Sequence, residues 1–239
     1  MNSPEGKSER SGPVEDLKWT ERLKARVVTP GSGPRVHGYD VRGDMLGAVS
    51  FSDFIFLTLT GELPEEKESS VFQQVMLFLA PVSVAQAPVH AAVLSGLCGS
   101  GSSGITGVCA VTLAEQARWQ VSRHGSLLEI MERDSIQPPS NYLVSKSGEA
   151  SDTESLIQSL SNVGVELPVV FSRLKPISCA IAVLYRYCGI KDPKLLETVL
   201  VMSRLPCALA EGRAVQPGDF RSYPIDLPRF EYTGEEDRE

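Results

Sequence analysis

The chain has 239 residues, a net charge of −7, 42% hydrophobic and 22% charged residues, which is the composition of a globular protein long enough for one large domain. The negative charge argues against nucleic acid or a membrane surface as a partner, because both need clustered Lys and Arg. Five cysteines without a CxxC pair and only three histidines argue against a metal site and predict free thiols in the reducing cytoplasm.

The first half of the chain predicts a polar tail followed by short apolar helices. Residues 1–15 are rich in Ser, Gly, Glu and Lys, so they are predicted to be a disordered tail. A turn-rich segment, 37–44, leads into an apolar helix. Gly61 and Pro64 are predicted to end it, because Gly adopts the left-handed helix-end conformation and Pro blocks a further turn. Apolar residues at helical spacing predict further helices at 65–79, 90–97 and 105–121.

The second half begins with a predicted loop. Residues 132–153 contain two adjacent prolines and many small polar residues, which predict a mobile connection. Helices are predicted at 154–161, 177–187 and from 193 onward. Gly189 is predicted to end the second of these, Asp192 to cap the third, and Pro206 to bend or split it. No period-two alternation occurs, so the predicted fold class is all-α, ending in an acidic tail at 235–239.

Three local patterns have both a chemical and a plainer structural interpretation. Residues 99–104 fit GxGxxG, but no predicted strand precedes them, so a flexible turn between helices is favoured over nucleotide binding. His90, at a predicted helix start, can polarise a substrate carbonyl or be a half-buried histidine with a backbone partner. Asp40, Arg42 and Asp44 are interpreted as a turn network rather than as acid–base groups.

Five short motifs stand in a fixed order along the chain. They are Gly38-Tyr39-Asp40, Gly61-Glu62-Leu63-Pro64, Cys188-Gly189-Ile190, Ser203-Arg204-Leu205-Pro206-Cys207-Ala208-Leu209-Ala210-Glu211 and Leu227-Pro228-Arg229-Phe230-Glu231-Tyr232-Thr233-Gly234. Their order and their residues resemble the motifs of the citrate synthase superfamily. This superfamily includes citrate synthases, citryl-CoA lyases and the C-terminal part of ATP-citrate lyase. The resemblance covers about residues 25–125 and 160–234.

The resemblance implies a mainly α-helical citrate synthase-like large domain over residues 16–234. The small domain is expected to be reduced or missing, since the loop at 132–153 stands roughly where it would be inserted. The implied activity forms or cleaves a C–C bond between an acyl-CoA and a keto acid, as an acyltransferase or a citryl-CoA lyase does. No cofactor is implied, with acyl-CoA as a possible substrate.

The chain departs from the superfamily at its catalytic motifs. The family text "HGGA" is absent, and the nearest text to "GHR" is Arg123-His124-Gly125, in reversed order. Ser178 occupies the position of the acid in "NVD", and Glu211 replaces a family histidine. The candidate catalytic residues are therefore His90, Ser178 and Glu211. The candidate substrate-binding residues are His37, beside the first motif, and Arg229, in the last.

Two functions stay open on the sequence. One is the C–C bond chemistry of the superfamily. The other is a non-catalytic homologue that acts as a dimerising partner, a regulator or a ligand-binding module, which the motif losses favour. A homodimer, or a heterodimer with a superfamily relative, is predicted because the apolar helices at 90–121 and 176–188 suit an interface. Neither nucleic acid nor a membrane is expected as a partner.

Overall fold

The structure, a computed structural model, describes residues 25–29, 33–131 and 137–218. The chain divides into two compact units, Met1–Ser50 and Phe51–Glu239. The prediction of one domain over residues 16–234 does not include this boundary, because no change of composition marks it. Within the described ranges, no helix is long and apolar enough to cross a membrane.

The N-terminal unit contains a small antiparallel sheet and a helical turn. Its strands are β1 (Val28–Thr29), β2 (Arg35–Val36) and β3 (Tyr39–Asp40), in the order β1-β2-β3, and a π-helical turn follows at Val41–Met45.

The first sequence motif folds as a hydrogen-bonded turn. The Asp40 carboxylate accepts hydrogen bonds from the backbone N–H groups of Arg42 (2.9 Å) and Gly43 (2.8 Å), which lower its pKa. The Asp44 carboxylate in turn accepts from the Asp40 N–H at 2.8 Å. The interpretation of these acids as a turn network is confirmed, since both carboxylates are bonded to local backbone.

Eight helices make up the described part of the second unit. They are α1 (Phe51–Thr60), α2 (Glu66–Leu79), α3 (Ala87–Leu97), α4 (Ser102–Ser122), α5 (Gly125–Met131), α6 (Ser147–Asn162), α7 (Pro176–Tyr187) and α8 (Pro193–Ala214), with short 3₁₀ turns at Ser140–Tyr142 and Val169–Arg173. This helical content confirms the predicted all-α class.

Helix α7 forms the centre of the larger of two apolar clusters. All eight residues from Ser178 to Tyr185 are buried, because α2, α5 and α6 pack around the helix. Its apolar sequence therefore reflects enclosure by its own chain, which corrects the expectation that it lies in a dimer interface. Burial also raises the pKa of the Cys179 thiol to about 12, which keeps this free cysteine protonated.

The second apolar cluster joins α3, α4 and α8 at unusually short range. The buried residues Ala92, Ile105 and Ala208 belong to it. A Cβ atom added to Gly96 on α3 would overlap the backbone carbonyl oxygen of Gly212 on α8. The two helices approach this closely because neither position carries a side chain.

Three predicted helix boundaries are confirmed by the backbone. Gly61 and Gly189 adopt positive φ values of 89° and 63° after α1 and α7, the helix-end conformation that favours glycine. The Asp192 side chain accepts a hydrogen bond from the Lys194 N–H at 2.9 Å and caps α8. The glycine-rich segment at 99–104 is a turn only as far as Gly101, after which α4 begins.

One local prediction is wrong, and one of the two outcomes predicted for Pro206 does not occur. Helix α6 begins at Ser147, inside the predicted loop, because Glu149 in its first turn accepts hydrogen bonds from the backbone and hydroxyl of Ser145 (3.1 and 3.3 Å) and so stabilises the helix start. Helix α8 continues through Pro206 without a split. Proline has no N–H, so the backbone carbonyl one turn before Pro206 loses its hydrogen-bond donor. Pro206 is exposed, so this carbonyl lies on the solvent side of the helix. Packing against α3 and α4 keeps α8 helical on its other side.

Candidate functional site

A chain of buried and half-buried polar side chains crosses the second unit from Gln86, just before α3, to α7. We call it the polar network; its members are Gln86, Gln116, Gln120, His124, Ser178 and Arg204. Such groups are costly to bury unless each finds a partner. Their concentration in an otherwise apolar core marks the candidate site.

Arg204 is the charged centre of the polar network. It lies on α8 and is 8% exposed, and burial lowers the pKa of its guanidinium. Its Nη1 donates to the side-chain oxygens of Gln120 (2.7 Å) and Gln116 (3.3 Å). Its Nε is buried without a hydrogen-bond partner, and no carboxylate in the described part of the chain forms an ion pair with it.

A cavity of about 530 Å³ opens beside Arg204. Its wall is formed by the end of α2, the start of α7, Gln86, Asp152 and Arg204. The cavity is therefore apolar over much of its surface, and its polar groups are the Arg204 guanidinium, the Gln86 amide and the carboxylate of Asp152, an exposed residue. The buried guanidinium suits a small anionic ligand, since a few placed polar groups fix orientation in an apolar site.

His124 and Ser178 form the other end of the polar network. The His124 Nδ1 lies 2.6 Å from the backbone carbonyl oxygen of Gln120, and its Nε2 lies 3.0 Å from the Ser178 Oγ. A carbonyl oxygen only accepts hydrogen bonds, so Nδ1 carries the proton. In the neutral ring, Nε2 then accepts the hydrogen bond that the Ser178 hydroxyl donates.

A second cavity, of about 270 Å³, lies at this pair. Ser178 and His124 line it together with Arg123, Lys175 and Tyr142. The Tyr142 hydroxyl donates to the backbone carbonyl of Arg123 at 2.7 Å, which fixes the wall next to the imidazole. Among the described residues, two cationic side chains and no carboxylate line this cavity.

The pair gives a testable pH dependence of stability. Burial, and to a lesser extent the charge of Arg123, lower the pKa of His124 below its ordinary 6.5, although the hydrogen bond to Gln120 opposes this. Below about pH 6.5 the unfolded chain therefore binds a proton that the folded chain does not. We expect the free energy of unfolding, measured by denaturant titration, to fall as the pH is lowered from about 7.5 to 5.5.

The control for this prediction is His124→Gln, which cannot titrate. Arg123, Tyr142 and Lys175 line the same cavity and are unchanged in this variant. The variant is expected to lose part of the pH dependence seen in the unsubstituted protein. Parallel pH curves for the two proteins would contradict the role assigned to His124.

The structure places the sequence-predicted site residues apart. Ser178 is 1% exposed on α7 and pairs with His124, whereas His90 on α3 and Glu211 on α8 are exposed. His37 lies in the N-terminal unit, where its φ is 48° and its Nε2 is buried without a partner among the residues described. Arg229 lies outside the described residues.

Two residues of the site were missed or misjudged on the sequence. In the sequence, Arg204 stands out only as part of a family motif. An arginine within the apolar sequence of α8 is, however, itself a signal of a buried charge. His124 was considered only as part of a reversed motif. No group of three or more His, Cys, Asp or Glu side chains that could hold a metal ion occurs in the described ranges.

Comparisons with known proteins identify similar folds at low sequence identity. No protein-family model matches the chain, and no curated protein matches it. The structure of citryl-CoA lyase from Hydrogenobacter thermophilus is similar, with a TM-score of 0.61 and 18% identity over 91% of this chain and 96% of that one.

Two ATP citrate lyase structures are also similar. The enzyme from Methanothrix soehngenii, in complex with citrate and coenzyme A, has a TM-score of 0.60 and 12% identity over 100% of this chain and 47% of that one. A mutant from Methanosaeta concilii, in complex with (3S)-citryl-CoA, has a TM-score of 0.59 and 12% identity over 93% of this chain and 44% of that one. This chain thus spans about half the length of either. The resemblance is confirmed at the level of the fold: the chain has the citrate synthase-like helical fold.

Proposed function

We propose that this protein binds a small carboxylate ligand, of the keto-acid or citrate type, in the cavity beside Arg204. The observation that carries the proposal is a buried guanidinium that has no acidic partner in the described part of the chain. Removing a charge from water costs several kcal/mol even after the protein relaxes. The two glutamine oxygens that contact Arg204 offset only part of this cost, since neither carries a charge.

The hydrogen bonds of Arg204 leave one edge of the guanidinium without a partner among the described residues. Both amide bonds go to Nη1, so the edge formed by Nε and Nη2 has no hydrogen-bond partner among the described residues. A carboxylate matches that edge with two parallel N–H···O bonds. The similar fold of an ATP citrate lyase solved with citrate and coenzyme A supports this choice of ligand class.

The proposed role is binding rather than C–C bond chemistry. The family's carboxylate base is replaced by Ser178, whose hydrogen-bond partner is His124. A serine hydroxyl is far too weak a base to remove a proton from the methyl group of an acyl-CoA. The protein is therefore a citrate synthase-like ligand-binding homologue, and the superfamily's own activity is the competing function.

Calorimetric titration with citrate and with oxaloacetate tests this proposal. Hydrogen bonds to charged groups contribute about 1.5–3 kcal/mol, so Arg204→Gln is expected to weaken binding about 10- to 100-fold. The control is Arg118→Gln, which removes an exposed arginine on α4 and should leave the affinity unchanged. Equal affinities for the unsubstituted protein and Arg204→Gln would refute the proposal, as would no binding of either ligand at millimolar concentration.

We also propose that the chain forms a dimer with a second copy through α4. Val111 and Trp119 are 65% and 57% exposed on this helix. Gly107 and Ala114 are exposed on it as well, and Gly107, Val111 and Ala114 share one face because they are four and three residues apart. An exposed apolar helix face of this kind is a typical protein contact surface.

Light scattering at micromolar concentration is expected to give twice the chain mass of 25.9 kDa. Val111→Glu places a charge on the proposed interface and is expected to give a monomer without loss of helix content. A monomer that dimerises only when a superfamily relative is added would replace the homodimer with a heterodimer. A monomer under both conditions would rule out this surface.

A further inference from the structure

We propose that Ser178 and His124 are a nucleophile and base that accept an acyl group from a small activated ester or thioester and hydrolyse it. This activity goes beyond ligand binding at Arg204. It lies in the smaller cavity and does not require the larger one to be occupied.

The geometry of the pair is that of an activated serine. The Ser178 hydroxyl donates to the His124 Nε2 across 3.0 Å, and the Gln120 carbonyl fixes the imidazole through Nδ1 at 2.6 Å. A hydroxyl becomes a nucleophile when an adjacent base takes its proton and a third group orients that base. The backbone carbonyl of Gln120 orients the imidazole here, as the aspartate carboxylate does in the Ser-His-Asp triad.

The imidazole is in the protonation state that the reaction needs. Burial and the nearby charge of Arg123 lower the pKa of His124, so the ring is neutral at pH 7 and its Nε2 can accept a proton. A neutral ring with Nδ1–H directed at a carbonyl has a single tautomer. The hydrogen bond from the Ser178 hydroxyl to the His124 Nε2 is therefore formed without a bound ligand.

The surroundings of Ser178 suit a negatively charged intermediate. Ser178 is the third residue of α7, where backbone N–H groups have no intrahelical acceptor. The N–H groups of Ile177 and Ser178 are therefore the proposed donors to an oxyanion. Lys175 and Arg123 line the same cavity and favour an acyl group that carries a carboxylate. The cavity volume of about 270 Å³ limits the acyl group to a short one.

The reaction is an ordinary acyl transfer to water. The Ser178 Oγ bonds to the carbonyl carbon as its proton passes to the His124 Nε2, and the leaving alcohol or thiol takes that proton when its bond to the carbonyl carbon breaks. Water then adds to the acyl-serine and gives a proton to Nε2, which returns it to Oγ as the acid leaves. The net change is ester or thioester plus water to acid plus alcohol or thiol, without oxidation or reduction.

Turnover is expected to be slow, because a neutral carbonyl stabilises the imidazolium less than a carboxylate does. Covalent trapping is therefore the more sensitive measurement. A fluorophosphonate forms a stable bond to an activated serine with loss of fluoride. Intact-protein mass spectrometry is expected to show one adduct on the unsubstituted protein, and peptide mapping is expected to place it on Ser178.

Three variants distinguish a loss of serine activation from a loss of folding. Ser178→Ala is expected to lose the adduct, and His124→Gln to slow its formation about 100-fold or more, since general base assistance contributes about 10²–10⁴-fold. Ser203→Ala is the matched control: Ser203 is also buried, but its hydroxyl bonds to the backbone carbonyl of Leu200, so its removal should leave labelling unchanged. Circular dichroism verifies that each variant is folded.

A substrate pair tests the predicted preference for an anionic acyl group. The 4-nitrophenyl ester of succinic acid is expected to be hydrolysed faster than 4-nitrophenyl acetate, and both rates should fall in Ser178→Ala. No adduct on the folded, unsubstituted protein after hours at about pH 8, or an adduct that maps to another residue, would overturn the proposal. These results do not depend on citrate binding, so the two proposals fail separately.

Discussion

Release of CoA from acetyl-CoA that depends on oxaloacetate is expected to be no faster than about 10⁻³ per second. An ordinary enzyme turns over about 10 times per second, and each lost acid–base group lowers the rate about 10²–10⁴-fold. By the sequence resemblance, Ser178 is expected to occupy the position of the acid in "NVD", and the texts "HGGA" and "GHR" do not occur in the chain. Cleavage of citryl-CoA to acetyl-CoA should be slow for the same reason. A spectrophotometric assay of free thiol measures the first reaction.

The dependence on oxaloacetate is the essential control, because hydrolysis by Ser178 would also release CoA. Turnover near 10 per second with oxaloacetate, and none without it, would establish the superfamily's activity and overturn the ligand-binding role. Ser178→Asp is the companion variant, since it places a carboxylate next to His124, at the position where the resemblance implies the family's acid. If that change alone restores condensation, only the base was lost; if it has no effect, the rest of the site has diverged as well.

Gly96→Ala is expected to destabilise the second unit by about 3 kcal/mol or more. The added Cβ overlaps the carbonyl oxygen of Gly212 on α8, and overpacking of a core typically costs about 1–3 kcal/mol. We expect the upper end of this energy range because the added Cβ meets a backbone atom, which can move only if α3 and α8 separate. Denaturant titration followed by circular dichroism measures the loss.

Gly107→Ala is the matched control for this prediction. Gly107 lies inside α4, is exposed, and has open space where a Cβ would be added. Alanine is favoured over glycine in a helix interior by about 0.5–1 kcal/mol. With Val111→Glu present in both proteins to remove the proposed α4 dimer contact, Gly107→Ala should therefore be slightly more stable than the protein with glycine. If Gly96→Ala were equally well tolerated, the close packing of α3 on α8 would be disproved.

Local chemistry explains which parts of the fold could be predicted from the sequence. Helix ends are determined by residues within one or two positions of them, here Gly61, Gly189 and Asp192. Such local effects can be predicted from the sequence. Pro206 has an equally local signal, but α8, which packs against two neighbouring helices, is not split there. The loop at 132–153 was predicted too long because composition does not reveal the contact from Ser145 to Glu149.

The candidate site could not be predicted because its contacts join distant parts of the chain. Arg204 and Gln120 are 84 residues apart, and His124 and Ser178 are 54 apart. Periodicity identifies which helices are apolar, but it does not indicate which polar residues of different helices meet. Ser178 was identified through the resemblance alone, and its partner His124 only through the structure.

The enclosure of α7 also has a consequence for the order in which the chain becomes stable during synthesis. Helix α2 presents Val71, Phe72 and Val75 to the cluster around α7. The ribosome delivers α7 only about a hundred residues after α2, and pairing of such distant segments is slow because a long loop must first close. The apolar face of α2 therefore emerges before its main partner exists, and chaperones that shield apolar segments would be needed most in that interval.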